Sequence, residues 1–148
     1  VSARQEIITA VKTRLGDISV DSGYQTDAGA VVLVGQAPSF GPDDPTEVLS
    51  ISVDDDEPIY QGERAVIVLP LVVHALVKAD VESPYLAAEA VVADIKKAIE
   101  TDHDLGGLTL PRGLSRGVTK SALREPGSEY VAARVEYRIT YAEMWGNP

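Results

Sequence analysis

Hydrophobic positions along the 148-residue chain recur with two periods, and the switches between them mark out the elements. Near the start, Ile7, Ile8, Val11 and Leu15 fall on one stripe of a helix; Ser2 and Gln5 have the spacing of a capping box, and Gly16 is the expected stop. After Ala30 the texture turns β-rich in AVVLVG, and SFGPDDPTE reads as a loop of Gly, Pro and Asp turn formers. In VLSISVDDDEP, Leu49, Ile51 and Val53 alternate with Ser50 and Ser52. This is the period of a strand with one wet face, ahead of an acidic turn from Asp54 to Pro58. RAVIVLPLVVHALV is apolar at both parities, which predicts a central strand; Pro70 lacks an N–H and predicts a bulge or an unpaired stretch.

Ser83 as N-cap and Pro84 at the first helical position open a second helix, with Ala88, Val91, Val92, Ile95 and Ile99 on its packing face. The Gly-, Pro- and Arg-rich stretch TLPRGLSRGVTKSALREPGSE reads chiefly as loop. YVAARVEYRITYAEMW then alternates from Val131 to Tyr141, a second strand with one wet face. The predicted order is α-β-β-β-α-(β)-β with no repeat and no linker. The predicted fold class is α+β: one domain over residues 1–148, with a mixed or antiparallel sheet packed by two main helices.

Charge refines this outline. Of the formal net charge of −10, the stretch from Leu15 to Glu63 holds eleven acids and no Lys or Arg, including the run Asp54, Asp55, Asp56, Glu57. Between Leu105 and Arg124 the sign reverses, with Arg112, Arg116, Lys120 and Arg124 and no acid. These eight residues are the candidate interface residues. Two readings stand for them: solvated loops kept soluble by like charge, or two segments that meet across a subunit contact. An acidic chain with few aromatics does not fit specific nucleic-acid binding.

Candidate chemistry is sparse. With no cysteine, disulfides, thiolate metal sites and a cysteine nucleophile drop out. In ETDHDLGG, the consecutive Asp102, His103 and Asp104 cannot all converge on one ion, and a helix stop with Gly106 and Gly107 supplying positive φ explains more residues. GLSRG matches the nucleophile-elbow expression, but both histidines, His74 and His103, precede Ser115, and no strand-to-helix context surrounds it; Ser115 is expected in a loop. DDDE lacks the spacing of a calcium loop, and His74 reads as a neutral sheet histidine. The expectation is no catalytic residue, no metal site and no cofactor. VSARQEIITAVKTRLG has none of the three parts of a secretory signal. The apolar run from Ala65 to Val77 falls short of the ~20 residues of a membrane helix, so a soluble protein without a membrane partner is predicted.

The succession of a short capped helix, GYQTDAG, RAVIVLPLVVHAL, YLAAEAVVADIKKAIETDHDLGGLTL and VEYRITYAEMWG resembles the tail terminator, or tail completion, proteins of long-tailed phages and phage-like particles. The resemblance runs over nearly the whole chain. It implies a small, non-enzymatic α+β subunit that forms a homo-oligomeric ring, a hexamer, at the head-proximal end of the tail. There it stops tube polymerisation and meets the tail tube protein on one side and the head-closure or connector protein on the other, while DNA passes the lumen without specific binding. It also implies a location in the virion tail or neck, reached by assembly in the host cytoplasm. Another tail or neck component, such as a tube or head-closure protein, shares this pattern; a small enzyme or ligand-binding domain is the alternative from a different class.

The reading of ETDHDLGG as a helix stop is testable. His103→Ala should change unfolding free energy by no more than the ~0.5 kcal/mol usual for surface positions. A metal-dependent rise in melting temperature that disappears with His103 would refute it.

Overall fold

The computed structural model describes residues 1–41, 43–121, 124 and 126–148. Helix α1 (Ala3–Gly16) opens on the expected capping box: Gln5 N donates to Ser2 Oγ at 3.2 Å, and Ser2 N donates to Gln5 Oε1 at 2.8 Å. Its buried stripe is Ile7, Val11 and Leu15, with Ile8 on the flank. Gly16 is its last residue, and Asp17 ends the helix in a right-handed conformation. Two single 3₁₀ turns, Val20–Ser22 and Ala28–Ala30, then lead to β1 (Val32–Val34). Gly29 is required in the second turn, because a Cβ there would overlap the carbonyl oxygens of Leu15 and Ile18.

Strands β2 (Glu47–Val53), β3 (Glu57–Gln61), β4 (Arg64–Lys78), β5 (Leu114–Ser121) and β6 (Tyr130–Met144) complete one mixed sheet, with helix α2 (Pro84–Glu100) between β4 and β5. The order across the sheet is β1-β2-β4-β6-β5, with β3 also paired to β4; β1 and β2 are the one parallel pair among the described residues. The long antiparallel pair β4–β6 runs unbroken from Arg64↔Met144 to Lys78↔Tyr130. The fold is the expected α+β domain, two helices on one sheet.

Pro70 behaves as its chemistry requires. β2 pairs with residues 71–77 of β4 and β3 with residues 65–68, so the two short strands are halves of one line along β4, broken at Asp54–Asp56. The break lies opposite Pro70, whose carbonyl accepts from Asp54 N at 3.0 Å. N–H and C=O of one residue point to the same side of an antiparallel strand, so the missing donor faces the interruption and the β6 ladder is intact. The acidic turn is therefore shorter than expected and is followed by a strand, β3, that alternation did not reveal. All five residues of β3 are exposed, and Pro58 sits among them.

A second correction concerns the basic segment. Leu114–Ser121 is an edge strand with a register shift between Arg116 and Thr119, so Ser115 lies on a strand and not in a loop. An edge strand with one paired side and a bulge at its centre carries no clean apolar alternation, which hid it.

Both helices pack on the face of β4 that carries Ile67, Leu69, Leu71, Val73, Ala75 and Val77, against Val135, Tyr137, Ile139 and Tyr141 of β6. Ala88, Val91, Val92, Ile95 and Ile99 of α2 fill this core as its spacing predicted. Ser83 is the N-cap by position, but its side chain makes no cap hydrogen bond. One polar residue enters the buried stripe of α2. Asp94, 1% exposed, accepts from Gln25 N (3.0 Å), Thr26 N (2.8 Å) and Thr26 Oγ1 (2.7 Å), tying the irregular 19–30 segment to the helix. Beyond α2, Arg14 of α1 donates to the C=O of Ile99 and pairs with Asp102 at 2.9 Å, and Gly106 and Gly107 take positive φ as predicted.

Ile95 is fully buried at the centre of this interface. Ile95→Ala should cost on the order of 2 to 5 kcal/mol in urea unfolding, and a loss below ~1 kcal/mol would show that the site collapses around the smaller side chain.

Candidate functional site

The surface that stands out is the sheet face turned away from the helices. Val48, Val68, Val72 and Leu76 point there and are buried, yet none belongs to the helix-side core. Around them lie Pro70 and Val66 of β4 and the alternate residues of β6, Ala132, Arg134, Glu136, Arg138, Thr140 and Ala142. Part of this face is covered from within. Residues 35–41 and 43–46 cross the β2 flank, where Ser50 Oγ donates to Gln36 C=O, Lys78 Nζ donates to Asp44 C=O at 2.9 Å and Lys78 lies over the Phe40 ring. The predicted wet face of β2 is thus half covered, and Ser50 is fully buried. Among the described residues, no helix lies on the other half of the face, over β4 and β6 towards β5. A shallow groove of about 250 Å³ runs across it, bordered by Asp54, Pro70, Val72, Val118, Glu136 and Arg138.

At the far end of β4 and β6 the sheet ends in an exposed apolar tip. Ile59, Tyr60, Met144 and Trp145 are 57%, 60%, 57% and 59% exposed. Trp145 Nε1 donates to Gly62 C=O at 2.7 Å, and the Tyr60 side chain lies against Gly62, so the aromatics frame the β3–β4 turn. The edges of the sheet are blunted. β1 has three residues, β3 contains Pro58 and a bulge, and β5 has its own bulge at Gly117–Val118. Such edges resist pairing with another strand.

The predicted interface residues do not form two compact patches. Asp54, Asp55, Asp56 and Glu57 lie together at the β2–β3 break, but Asp56 is held by Arg4 of α1 at 2.9 Å. Arg112 is exposed in a left-handed turn (φ 57°) before β5. Because β5 is a strand, the next two bases point to opposite faces. Arg116 lies on the helix side and grips Glu100 with Nε at 3.0 Å from Oε1; Lys120 lies on the open face opposite Arg134. Arg124 Nε donates to Ser128 C=O at 3.1 Å. Sequence reasoning missed Arg134 and Arg138, which share the open face with Lys120. Their alternation was read as a wet face without asking what charge it carried.

Two polar centres complete the description. Glu100 receives both Arg116 and the Tyr137 hydroxyl (2.8 Å); burial first, and then this carboxylate, push the phenol far above its ordinary range. On the open face, Ser52 Oγ and His74 Nε2 share a hydrogen bond of 2.9 Å. Burial, and then the charge of Arg134, hold the imidazole below its ordinary range, against the opposing pull of Asp54. Ser115 Oγ donates to Arg138 C=O at 3.4 Å. Among the described residues no group of three or more His, Asp or Glu side chains is placed to hold a metal ion, and no helix is long and apolar enough to cross a membrane. Neither protein-family models nor curated protein sequences match the chain.

The His74 environment fixes the sign of a pH effect. A base whose folded pKa is lowered takes up protons more readily when unfolded. Stability is therefore undiminished above the unfolded-state value of about 6.5 and falls as pH drops below it. His74→Gln should flatten the decline in melting temperature between about pH 7.5 and pH 5.5, and a decline of unchanged slope would exclude His74 as its source.

Proposed function

We propose that this protein is a structural subunit that works by assembling with copies of itself, as a ring of the tail-terminator type on a phage-like tail. The observation that carries this reading is β4: a strand apolar on both faces, with a layer of helices on one and only the partial cover of residues 35–41 and 43–46 on the other. A strand of that composition is stable when both faces are covered; Val68, Val72 and Leu76 are already screened by neighbouring side chains, while Val66, Pro70 and His74 of the same face stay half-buried and open to a further layer. The exposed aromatic tip is a second apolar surface, at a different place on the subunit. Two unlike surfaces on one chain suit a heterologous contact, which closes into a ring when the rotation per subunit allows.

In this reading the ring, a hexamer, sits at the head-proximal end of the tail in the neck of the particle, assembled in the host cytoplasm. One side meets the tail tube protein and stops its polymerisation; the other meets the head-closure or connector protein. The net charge of −10 suits a lumen through which DNA passes without sticking, since like charge repels phosphates. The role needs no catalytic residue and no cofactor.

Electron microscopy and light scattering of the purified protein, alone and with tail tubes, test the proposal. Rings of one size, seated at one end of each tube and arresting its growth, are the expected result. A monomer at every concentration with no effect on tubes would overturn it, and unlimited polymerisation into tubes would reassign the protein as a tube component.

A further inference from the structure

We propose that the hollow on the open sheet face between His74, Arg134 and Lys120 binds a phosphate-type oxyanion, held by the Arg134 guanidinium and the Lys120 ammonium. The assembly reading does not depend on it.

Register brings the three residues together. His74 of β4 pairs with Arg134 of β6, and Arg134 pairs with Lys120 of β5, so three basic side chains stand in one row across adjacent strands and on one face. Like charges directly opposed across strands destabilise a sheet, and a bound anion would offset that cost. The hollow, about 310 Å³, is lined by these three residues with Ala132 and Ala133, and no acid is among them; Asp54 and Glu136 border the neighbouring groove instead. Along β6, alternation places Ala132 and Glu136 on either side of Arg134. The methyl of Ala132 leaves the room that a longer side chain would fill, and Ser52 Oγ holds the imidazole wall through Nε2 at 2.9 Å.

Arg134 is the centre of the row and its least satisfied member. Nη2 lies 3.4 Å from Glu136 Oε1, an ion pair too long for a strong hydrogen bond. Nε is buried and has no partner among the described residues, a state that costs free energy. The side chain is nevertheless 40% exposed and can be reached from solvent. Lys120 is exposed and makes no ion pair among the described residues. The donor set selects the class of ligand. A guanidinium offers a planar fork of N–H groups and an ammonium a mobile point charge, and a phosphate group, with three oxygens and about two negative charges, engages both at once. A carboxylate has fewer oxygens and a single charge, which the fork alone would use. The volume is at the low end for ligand pockets and admits a phosphate with a small organic group.

Titration calorimetry of the full chain, with ionic strength held constant by sodium chloride, tests the site with inorganic phosphate and with phenyl phosphate, a monoester. Saturable binding of one ligand per subunit and a rise in melting temperature are expected, and no saturable response to either would overturn the proposal. Tighter binding of the ester would support an organic phosphate as the ligand, and tighter binding of the free ion phosphate itself. Lys120→Gln and Arg134→Gln, with folding checked by circular dichroism, should each weaken binding on the order of tenfold. Ala132→Leu, at an exposed position, fills the hollow and keeps every charge, and should abolish binding. Glu136→Gln should tighten it by releasing Arg134, a response that a merely structural ion pair would not give. Arg138→Gln removes a cation of the same face outside the hollow and should leave the affinity unchanged. An equal loss in Arg138→Gln, or full binding in Ala132→Leu, would reduce the effect to diffuse charge and overturn the site. Acetate bound as tightly as phosphate would overturn the ligand class. Binding of single-stranded DNA without binding of either small phosphate would overturn the hollow in favour of a surface that tracks a nucleic-acid backbone.

Discussion

Most of this structure depends on the pairing of β4 with β6, an unbroken antiparallel ladder from Arg64 to Lys78. At ~3.4 Å per residue, fifteen paired residues extend about 50 Å, whereas the seventeen-residue α2 covers about 25 Å. The helices therefore cannot shelter the whole ribbon. α2 protects the middle and the Lys78 end of one face, and α1 with the 101–113 turns continues along it, the latter held by Leu110 N to Thr140 C=O and Thr140 N to Gly113 C=O. Beyond them Ile59 and Tyr60 of β3 are exposed, and among the described residues the opposite face is crossed by residues 35–41 and 43–46. The exposed tip and the half-open sheet face are the parts of a long ribbon that short helices leave over.

Polar groups in this fold act mainly as ties. Asp94 anchors the 19–30 segment, Asp102 receives Arg14 and the N–H of Gly106, and Glu100 joins α2 to β5 and β6 through Arg116 and Tyr137. Each tie joins segments distant in sequence, and each carboxylate has at least two donors, which offsets the cost of partial or complete burial. Of the residues that looked most like chemistry in the sequence, Asp102 belongs to this class, while Asp104 accepts only the local N–H of Gly107 at 3.2 Å and shapes the turn. The His103 side chain is exposed, and its carbonyl receives the N–H of Leu114 at the entry to β5.

What could be read from the sequence follows from how strongly each element imposes a period. The capped α1, the stripe of α2, and the strands β2, β4 and β6 are half or wholly buried over many residues, and their alternation or stripe is unambiguous. β3 and β5 escaped because an edge strand with a bulge and a solvated face has no period to show. The consequences spread from there. With Leu114–Ser121 taken as loop, Arg116 and Lys120 counted as neighbours on one patch, although pleating sends one to the helices and the other to the open face beside Arg134. Asp94 carried a local signal, a carboxylate within an apolar helix stripe, but its partners lie nearly 70 positions away and no local pattern names them. The apolarity of β4 on both faces was plain, and it was read as centrality in the sheet. It equally implied cover on a second face, which among the described residues comes from the segment before β2 and from neighbouring side chains, without a helix.

The gap between β2 and β3 has a mechanical side. Up to Leu71, β4 is braced by β2 on one flank and β6 on the other, with helices beneath. Past Pro70 the bracing strand is β3, five exposed residues joined to β2 through a turn that gives the ladder one hydrogen bond, from Asp54 N to Pro70 C=O. With five exposed residues against the mostly buried β2, the β3 end of the ribbon is the less braced part, and the backbone amides of β3 are expected to open at a smaller free-energy cost than those of β2. In the proposed ring, such a less braced end would let one subunit shape tolerate small differences in the angle to its neighbour, so that closure would be set by the contacts and not by the rigidity of the arm.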